Sequence, residues 1–148
     1  MLNGLHALQG HATPDDIILI HDGVRPFIDE PILQQSINLA SSGVGALVAV
    51  QTKDTIKVVQ DGVVISTPER STLWQAQTPQ SFRFCQILAA HHQALQERFL
   101  GTDDCSLLER CNGTVKIVNG SYRNIKITTP EDLVLAEAFL SQPGGGQP

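Results

Sequence analysis

The chain has 148 residues, with ten Lys and Arg against fifteen Asp and Glu, a formal net charge of −5 and 41% apolar residues. A chain of this length makes one domain that buries roughly 68% of its extended surface on folding, enough for a core without a disulfide or metal staple. The acidic balance excludes a nucleic-acid or anionic-membrane partner held by bulk charge, because such binding draws on many Lys and Arg, so any phosphate bound here is small and locally held.

Residues 15–23, DDIILIHDG, form a short continuous apolar run bounded by polar residues, which predicts a strand covered on both faces with Asp22 at its carboxyl end. Pro31 follows Asp29 and Glu30 as a first helical position, and Ile32, Leu33, Ile37 and Ala40 recur at helical spacing until Ser41-Ser42-Gly43. Residues 45–50, GALVAV, are the next buried strand. Strand, helix, strand in this order is a βαβ unit, and the expected class is α/β with a mainly parallel sheet.

The middle breaks that rhythm. Residues 55–59 and 63–66 are β-formers around Gln60-Asp61-Gly62, and Asp-Gly between β-formers predicts a hairpin standing off the sheet. Residues 67–80 read as a polar stretch with a lone Trp74. Phe84, Ile87, Leu88, His91 and Leu95 mark an amphipathic helix ending near Phe99, and Thr102 is placed as the N-cap of a short helix through Leu107 and Leu108. Residues 114–118 and 124–127 read as strands, and Thr129-Pro130-Glu131-Asp132 as a capping box that opens a last helix to about Leu140. The domain is thus expected over residues 1–140, with 141–148, SQPGGGQP, as a disordered tail.

Three cysteines without CxxC spacing, no secretory leader pattern and no run of 18 apolar residues predict a cytoplasmic protein that does not span a membrane. Cys105 reads as core, and the adjacent His91 and His92 diverge on a helix, so they do not form a metal pair.

With so few basic residues, those in turn-flanked polar segments are the candidates for chemistry. In residues 21–26, HDGVRP, an acid and an Arg follow a buried strand directly, where open α/β sheets bind ligands. Asp22 suits a cation or a ribose hydroxyl and Arg25 suits phosphate oxygens, while the alternative is a βα turn in which the two pair with each other. Lys126 lies between apolar residues just before Thr128-Thr129-Pro130; it is either an edge Lys or a point charge aimed at a phosphate. Arg70 in its polar loop, Asp54-Thr55 and Thr102-Asp103-Asp104 carry equally plain readings as solvated loop, strand start and helix cap.

Taken in order, HDGVRPF, KDTIK, ERSTLWQAQTPQSF, GTDDCSLLE and GSYRNIKITTPEDLVLAE resemble the 2-C-methyl-D-erythritol 4-phosphate cytidylyltransferase family, from about Leu2 to Leu140. The resemblance implies a Rossmann-like domain of the nucleotide-diphospho-sugar transferase type with a protruding hairpin arm at about residues 52–82. It implies an enzyme of isoprenoid biosynthesis that joins CTP and methylerythritol phosphate, releasing pyrophosphate, with Mg2+ or another divalent cation. Asp22 then matches the acid that meets CTP and the cation, and Arg25 the arginine near the methylerythritol phosphate. Asp54 and Thr55 match the pair at the base of the dimerisation arm. Arg70 and Thr78 match arm residues that reach across a two-fold axis in a homodimer, Thr102 another substrate contact, and Lys126 the lysine that with Arg70 positions the sugar phosphate.

Family members open with a strand and a Gly-rich loop carrying Arg and Lys that wraps the triphosphate. The residues from Met1 to Leu5 resemble instead the helix that follows that loop, so the chain is expected to correspond to the last three-fifths or so of a member, with weak CTP binding and little turnover by itself. Two other readings stand beside this one: a ribitol 5-phosphate cytidylyltransferase with the same fold and arm, and a non-catalytic dimerising remnant.

Overall fold

The computed structural model describes residues 1–141. Its elements in chain order are α1 (Leu2–Leu8), β1 (Ile17–Ile20), α2 (Glu30–Ser41), β2 (Gly45–Gln51), β3 (Val58–Gln60), β4 (Val63–Ser66), a 3-10 turn (Arg70–Thr72), β5 (Trp74–Arg83), α3 (Phe84–Glu97), α4 (Asp104–Arg110), β6 (Val115–Asn119) and α5 (Pro130–Ser141). The tail expectation lies outside the described residues apart from Ser141, which is the last residue of α5.

A four-stranded sheet in the order β1-β5-β2-β6 carries the fold. β2 and β6 pair in parallel, whereas β5 is antiparallel to both β1 and β2. Three strands therefore share one direction, as the βαβ unit requires, but the sheet is mixed and not mainly parallel in its pairing. The correction comes from β5, which occupies part of the stretch read as polar loop. Gln77, Gln80 and Ser81 are buried in it, and each finds a side-chain partner, so a polar sequence forms a central strand at no cost in unpaired groups.

Period-two alternation divides the core between the two faces of the sheet. Ala46 and Val48 of β2 pack with Ile32 and Ala40 of α2 and Val118 of β6. Ile20 of β1 and Phe82 of β5 face the other way, against Leu5, Phe84, Ile87, Cys105 and Leu108 of α1, α3 and α4. Ser81, next to Phe82, points back toward α2, where its hydroxyl lies 2.7 Å from that of Ser36.

The β3–β4 hairpin forms a separate two-stranded sheet, and the arm expected over residues 52–82 is shorter than that, because residues 74–82 belong to β5 inside the main sheet. Asp61 and Gly62 both have positive φ, 50° and 79°, as the two central residues of a type I′ turn demand. Val58, Val59, Val63, Val64 and Ile65 are all exposed on it.

Three further expectations change. The N-cap of α4 is Asp103, which forms a reciprocal capping box with Ser106, and Thr102 precedes it. Residues 124–127 are not a strand: the Ile127 amide donates to Val24 O at 2.9 Å and the Ile125 amide to Arg123 O at 2.8 Å, so the segment is held by loop bonds and not by a ladder. Glu30 is the first residue of α2, with Pro31 second and Asp29 as N-cap. The capping box at Thr129 is present, with the Thr129 amide donating to Asp132 Oδ2 at 2.8 Å and the Asp132 amide to Thr129 Oγ1 at 3.3 Å. Among the described residues, no helix is long and apolar enough to cross a membrane.

Candidate active site

Because β1, β2 and β6 run in one direction, the segments leaving their carboxyl ends gather on one edge of the sheet, where open α/β sheets place ligands. His21 and Asp22 follow β1, Thr52 and Lys53 follow β2, and residues 120–127 follow β6. β5 starts at the same edge and runs away from it, so its first half lies beside these segments. Between the pairs Leu47↔Gln80 and Ala49↔Ala76, β5 advances four residues while β2 advances two, so β5 bulges there. The bulge holds Gln77, Thr78 and the cis peptide to Pro79. A bulge of this kind re-aims side chains next to a site.

The resulting cleft, of about 360 Å3, is lined by Asp22, Arg25, Thr78, Thr102 and Lys126 among others. Asp22 is its electrostatic centre: Oδ2 accepts from Arg25 Nε and from Lys126 Nζ, each at 3.2 Å. Partial burial raises the Asp22 pKa, but the hydrogen bonds and charges of Lys126 and Arg25 outweigh it and hold the carboxyl below its ordinary value. The turn reading of HDGVRP and the ligand reading thus coincide, since Arg25 pairs with Asp22 and both line the cleft.

Neutral hydrogen bonds lock this centre from behind. The Asp22 amide donates to Thr78 Oγ1 at 2.9 Å, and that hydroxyl lies 2.9 Å from His21 Nδ1. His21 Nε2 donates to Arg25 O at 3.0 Å, since a carbonyl oxygen only accepts. Arg25 Nη1 donates to Asn124 O at 2.7 Å. On the far wall, Gln80 Nε2 donates to Asp103 Oδ2 and Gln80 Oε1 accepts from the Cys105 amide, which fixes the start of α4 and Thr102 before it.

Arg70 is elsewhere. It lines a second cleft of about 420 Å3 with Thr52, Lys53, Glu69, Ser71 and Tyr122, and its Nη1 donates to Lys53 O at 3.1 Å. Lys53 Nζ sits 3.6 Å above the Tyr122 ring, whose hydroxyl donates to Gln51 O at 2.6 Å. Within one chain the structure therefore assembles Asp22, Arg25, Thr78, Thr102 and Lys126; Thr78, expected with Arg70 to reach across a two-fold axis, instead sits in β5 of the central sheet against its own Asp22, and Arg70 stays apart from them. Asp54 and Thr55 lie exposed in the connection between β2 and the hairpin.

His21, Gln77, Gln80 and Asn124 escaped the sequence reading. Their sole signal is polar residues interleaved with strand formers, which reads as loop until the partners are known.

Of the three carboxylates that line the cleft, Asp103 is engaged by Gln80 and the Ser106 amide and Asp104 lies 2.8 Å from His91 Nε2, which leaves Asp22 to meet a divalent cation; no group of three or more His, Cys, Asp or Glu side chains capable of holding a metal occurs among the described residues. Cys105 is no nucleophile, because burial first, and then the charge of Asp103, drives its thiol pKa far upward.

The family model of IspD, 2-C-methyl-D-erythritol 4-phosphate cytidylyltransferase, matches residues 1–142. The chain is 60% identical to the 2-C-methyl-D-erythritol 4-phosphate cytidylyltransferase of Geobacter metallireducens over 142 residues, which covers 96% of this chain and 61% of that protein. With the Geotalea uraniireducens protein of the same name it shares 58% identity over 95% of this chain and 60% of the relative. It spans about three-fifths of the length of these curated relatives. Among solved structures, the cytidylyltransferase of Francisella tularensis superposes with a TM-score of 0.85 at 30% identity, over 93% of this chain and 64% of that one. The 4-diphosphocytidyl-2C-methyl-D-erythritol synthase of Anaerococcus prevotii does so with a TM-score of 0.84 at 38% identity, over 95% and 62%. With every described residue inside the match, the chain belongs to the 2-C-methyl-D-erythritol 4-phosphate cytidylyltransferase family.

Proposed function

We propose that the protein joins CTP to 2-C-methyl-D-erythritol 4-phosphate, releasing pyrophosphate and CDP-methylerythritol, in isoprenoid biosynthesis. The observation that carries this reading is the convergence of Arg25 and Lys126 on Asp22 at the carboxyl edge of the sheet, in a chain of this family. In the reaction a phosphate oxygen of the sugar phosphate attacks the α-phosphorus of CTP in line, the P–O bond to the leaving pyrophosphate breaks, and no side-chain nucleophile takes part. Catalysis of that kind rests on positioning and on charge neutralisation.

Lys126 and Arg25 supply the positive charge for a phosphate, and Asp22 keeps both aimed into one cleft. Thr102 offers a hydroxyl on the cleft wall, and Thr78, whose hydroxyl accepts from the Asp22 amide, holds Asp22 in place beside it. Asp22 would also hold Mg2+, which fits a cation that keeps several waters and binds through one or two carboxylates plus substrate phosphates. When bound, Mg2+ clamps the triphosphate and neutralises its charge.

Arg70 completes the site from a second copy of the chain. Its distance from Lys126 as members of two separate clefts, and the exposed valines of the hairpin, support a homodimer joined through the arm, with Asp54 and Thr55 at the arm's base. Free thiols at Cys85, Cys105 and Cys111 support a reducing, cytoplasmic compartment.

The test is pyrophosphate release from CTP and Mg2+ by the longest form of the protein its gene encodes, with methylerythritol 4-phosphate or ribitol 5-phosphate as acceptor. Turnover with the first substrate bears the reading out. Turnover with ribitol 5-phosphate alone, or with neither, overturns it.

A further inference from the structure

Asn124 stands behind the cleft without entering it. It is fully buried, at 0% exposure, yet it touches every element that carries a cleft cation. Its Nδ2 donates to Thr78 O at 2.9 Å and to Gln77 Oε1 at 3.2 Å, which ties the segment after β6 to the bulge of β5. Its backbone oxygen accepts from Arg25 Nη1 at 2.7 Å. Two residues on, Lys126 reaches Asp22. Gln77 extends the clamp, because its Nε2 donates to Ser121 O at 2.9 Å, at the start of the same segment.

The amide can point only one way. Both neighbours of Nδ2 are acceptors, so the flipped amide would set Oδ1 against two oxygens. In the orientation adopted, Oδ1 is buried with no partner. An unpaired buried carbonyl costs stability, so the position bears a cost while its two donors fix the loop.

We propose that Asn124 is a positioning residue for phosphate binding: through its side-chain clamp on β5 it sets where Lys126 meets a phosphate. This rests on the reading of Lys126 as a phosphate-binding cation. Segment 121–127 has no ladder to hold it; without the side-chain clamp it keeps the Ile127 amide bond to Val24 O, the Gln77 bond to Ser121 O and the Arg25 bond to Asn124 O, but loses both bonds that fix position 124, two residues before Lys126, to the bulge of β5. Lys126 then loses its fixed approach to the cleft while its charge is unchanged.

The experiment is a double-mutant cycle on the 148-residue chain, with Asn124→Ala, Lys126→Ala and the pair. Inorganic phosphate is titrated in the absence of metal and followed by amide NMR shifts, well below each variant's melting temperature. Lys126→Ala is expected to weaken phosphate binding about tenfold and Asn124→Ala about three- to tenfold, with the double variant within about twofold of Lys126→Ala alone, because contacts acting through one group are not additive. If Asn124→Ala does not fold, Asn124→Ser, which keeps one donor, takes its place in the cycle.

A wild-type affinity in the Asn124 variant beside a weakened Lys126 variant overturns the inference and leaves the phosphate reading intact. Additive losses overturn it as well, since Asn124 would then act by another route or by general loosening. An unchanged affinity in Lys126→Ala defeats the phosphate reading itself, and the inference with it.

Discussion

Lys126 Nζ and Asp22 Oδ2 lie 3.2 Å apart, joining the segment after the last strand of the sheet to the end of its first. The same oxygen takes Arg25, so a single carboxylate organises two cations, and the acidic net charge of the chain does not prevent a locally positive cleft. Lys126 is 48% exposed and Asp22 31%, so water screens the pair and its worth lies in orientation more than in stability.

That pairing sets a pH dependence. The folded-state pKa of Asp22 is depressed, so its contribution to stability is present above the ordinary carboxylate value of 3.8 and is lost as pH falls through the lower folded value. Urea unfolding of the wild type and of Asp22→Asn is expected to show a modest gap at pH 6 that closes below about pH 4. A gap that stays constant into acid would contradict the ion-pair account.

Arg70→Ala should separate turnover from folding. The side chain is exposed and makes one bond to Lys53 O, so its loss is expected to change stability by no more than about 0.5 kcal/mol. In the longest form of the protein its gene encodes, the loss of turnover is expected to reach about a hundredfold or more, as for a charge that acts on developing charge in the reaction. Thermal melts and steady-state rates measured side by side decide it; parallel losses in both would refute the assignment.

The hairpin carries its own prediction. Val63 and Val64 are exposed on a two-stranded sheet that cannot bury its apolar side chains alone. Replacing both with Asp should turn a dimer into a monomer in sedimentation at micromolar concentration, with the far-UV spectrum preserved. A wild-type chain that already sediments as a monomer contradicts this.

Gly120 supports the site by its size. A Cβ there would come within 2.5 Å of Gln77 Oε1 and 3.2 Å of Ala49 O, and the Gly120 amide donates to Ala49 O at 2.8 Å. Gly120→Ala is expected to cost about 1–3 kcal/mol in denaturant unfolding, as overpacking does. A neutral effect would show that the segment yields freely.

The elements legible in the sequence are those whose pattern is hydrophobic or whose turn is chemically explicit. Residues 17–20 and 45–51 announce themselves as strands, although the first lies at the end of the sheet order with only Ile20 buried, and Asp61-Gly62 can hardly be anything but the hairpin turn. β5 was not legible, because its buried Gln77, Gln80 and Ser81 look solvated until Ser121, Asp103 and Ser36 are known to meet them. The converse error occurs at residues 124–127, where Asn-Ile-Lys-Ile alternates like a strand but its amides are spent on loop bonds. For the site, charge in a turn-flanked segment sufficed to mark Asp22, Arg25 and Lys126. The neutral groups that orient them carry no such mark.

The most direct test of a site shared between two chains mixes two inactive proteins. In the longest form of the protein its gene encodes, Arg70→Ala and Lys126→Ala are each expected to be nearly inactive, and subunit exchange between them gives mixed dimers in which one of the two sites has both residues intact. Random reassortment then restores about a quarter of wild-type turnover, since about half the dimers are mixed and half of their sites are complete. If mixing restores nothing although subunit exchange is demonstrated, Arg70 and Lys126 do not meet across the dimer, and the account of a composite site is wrong.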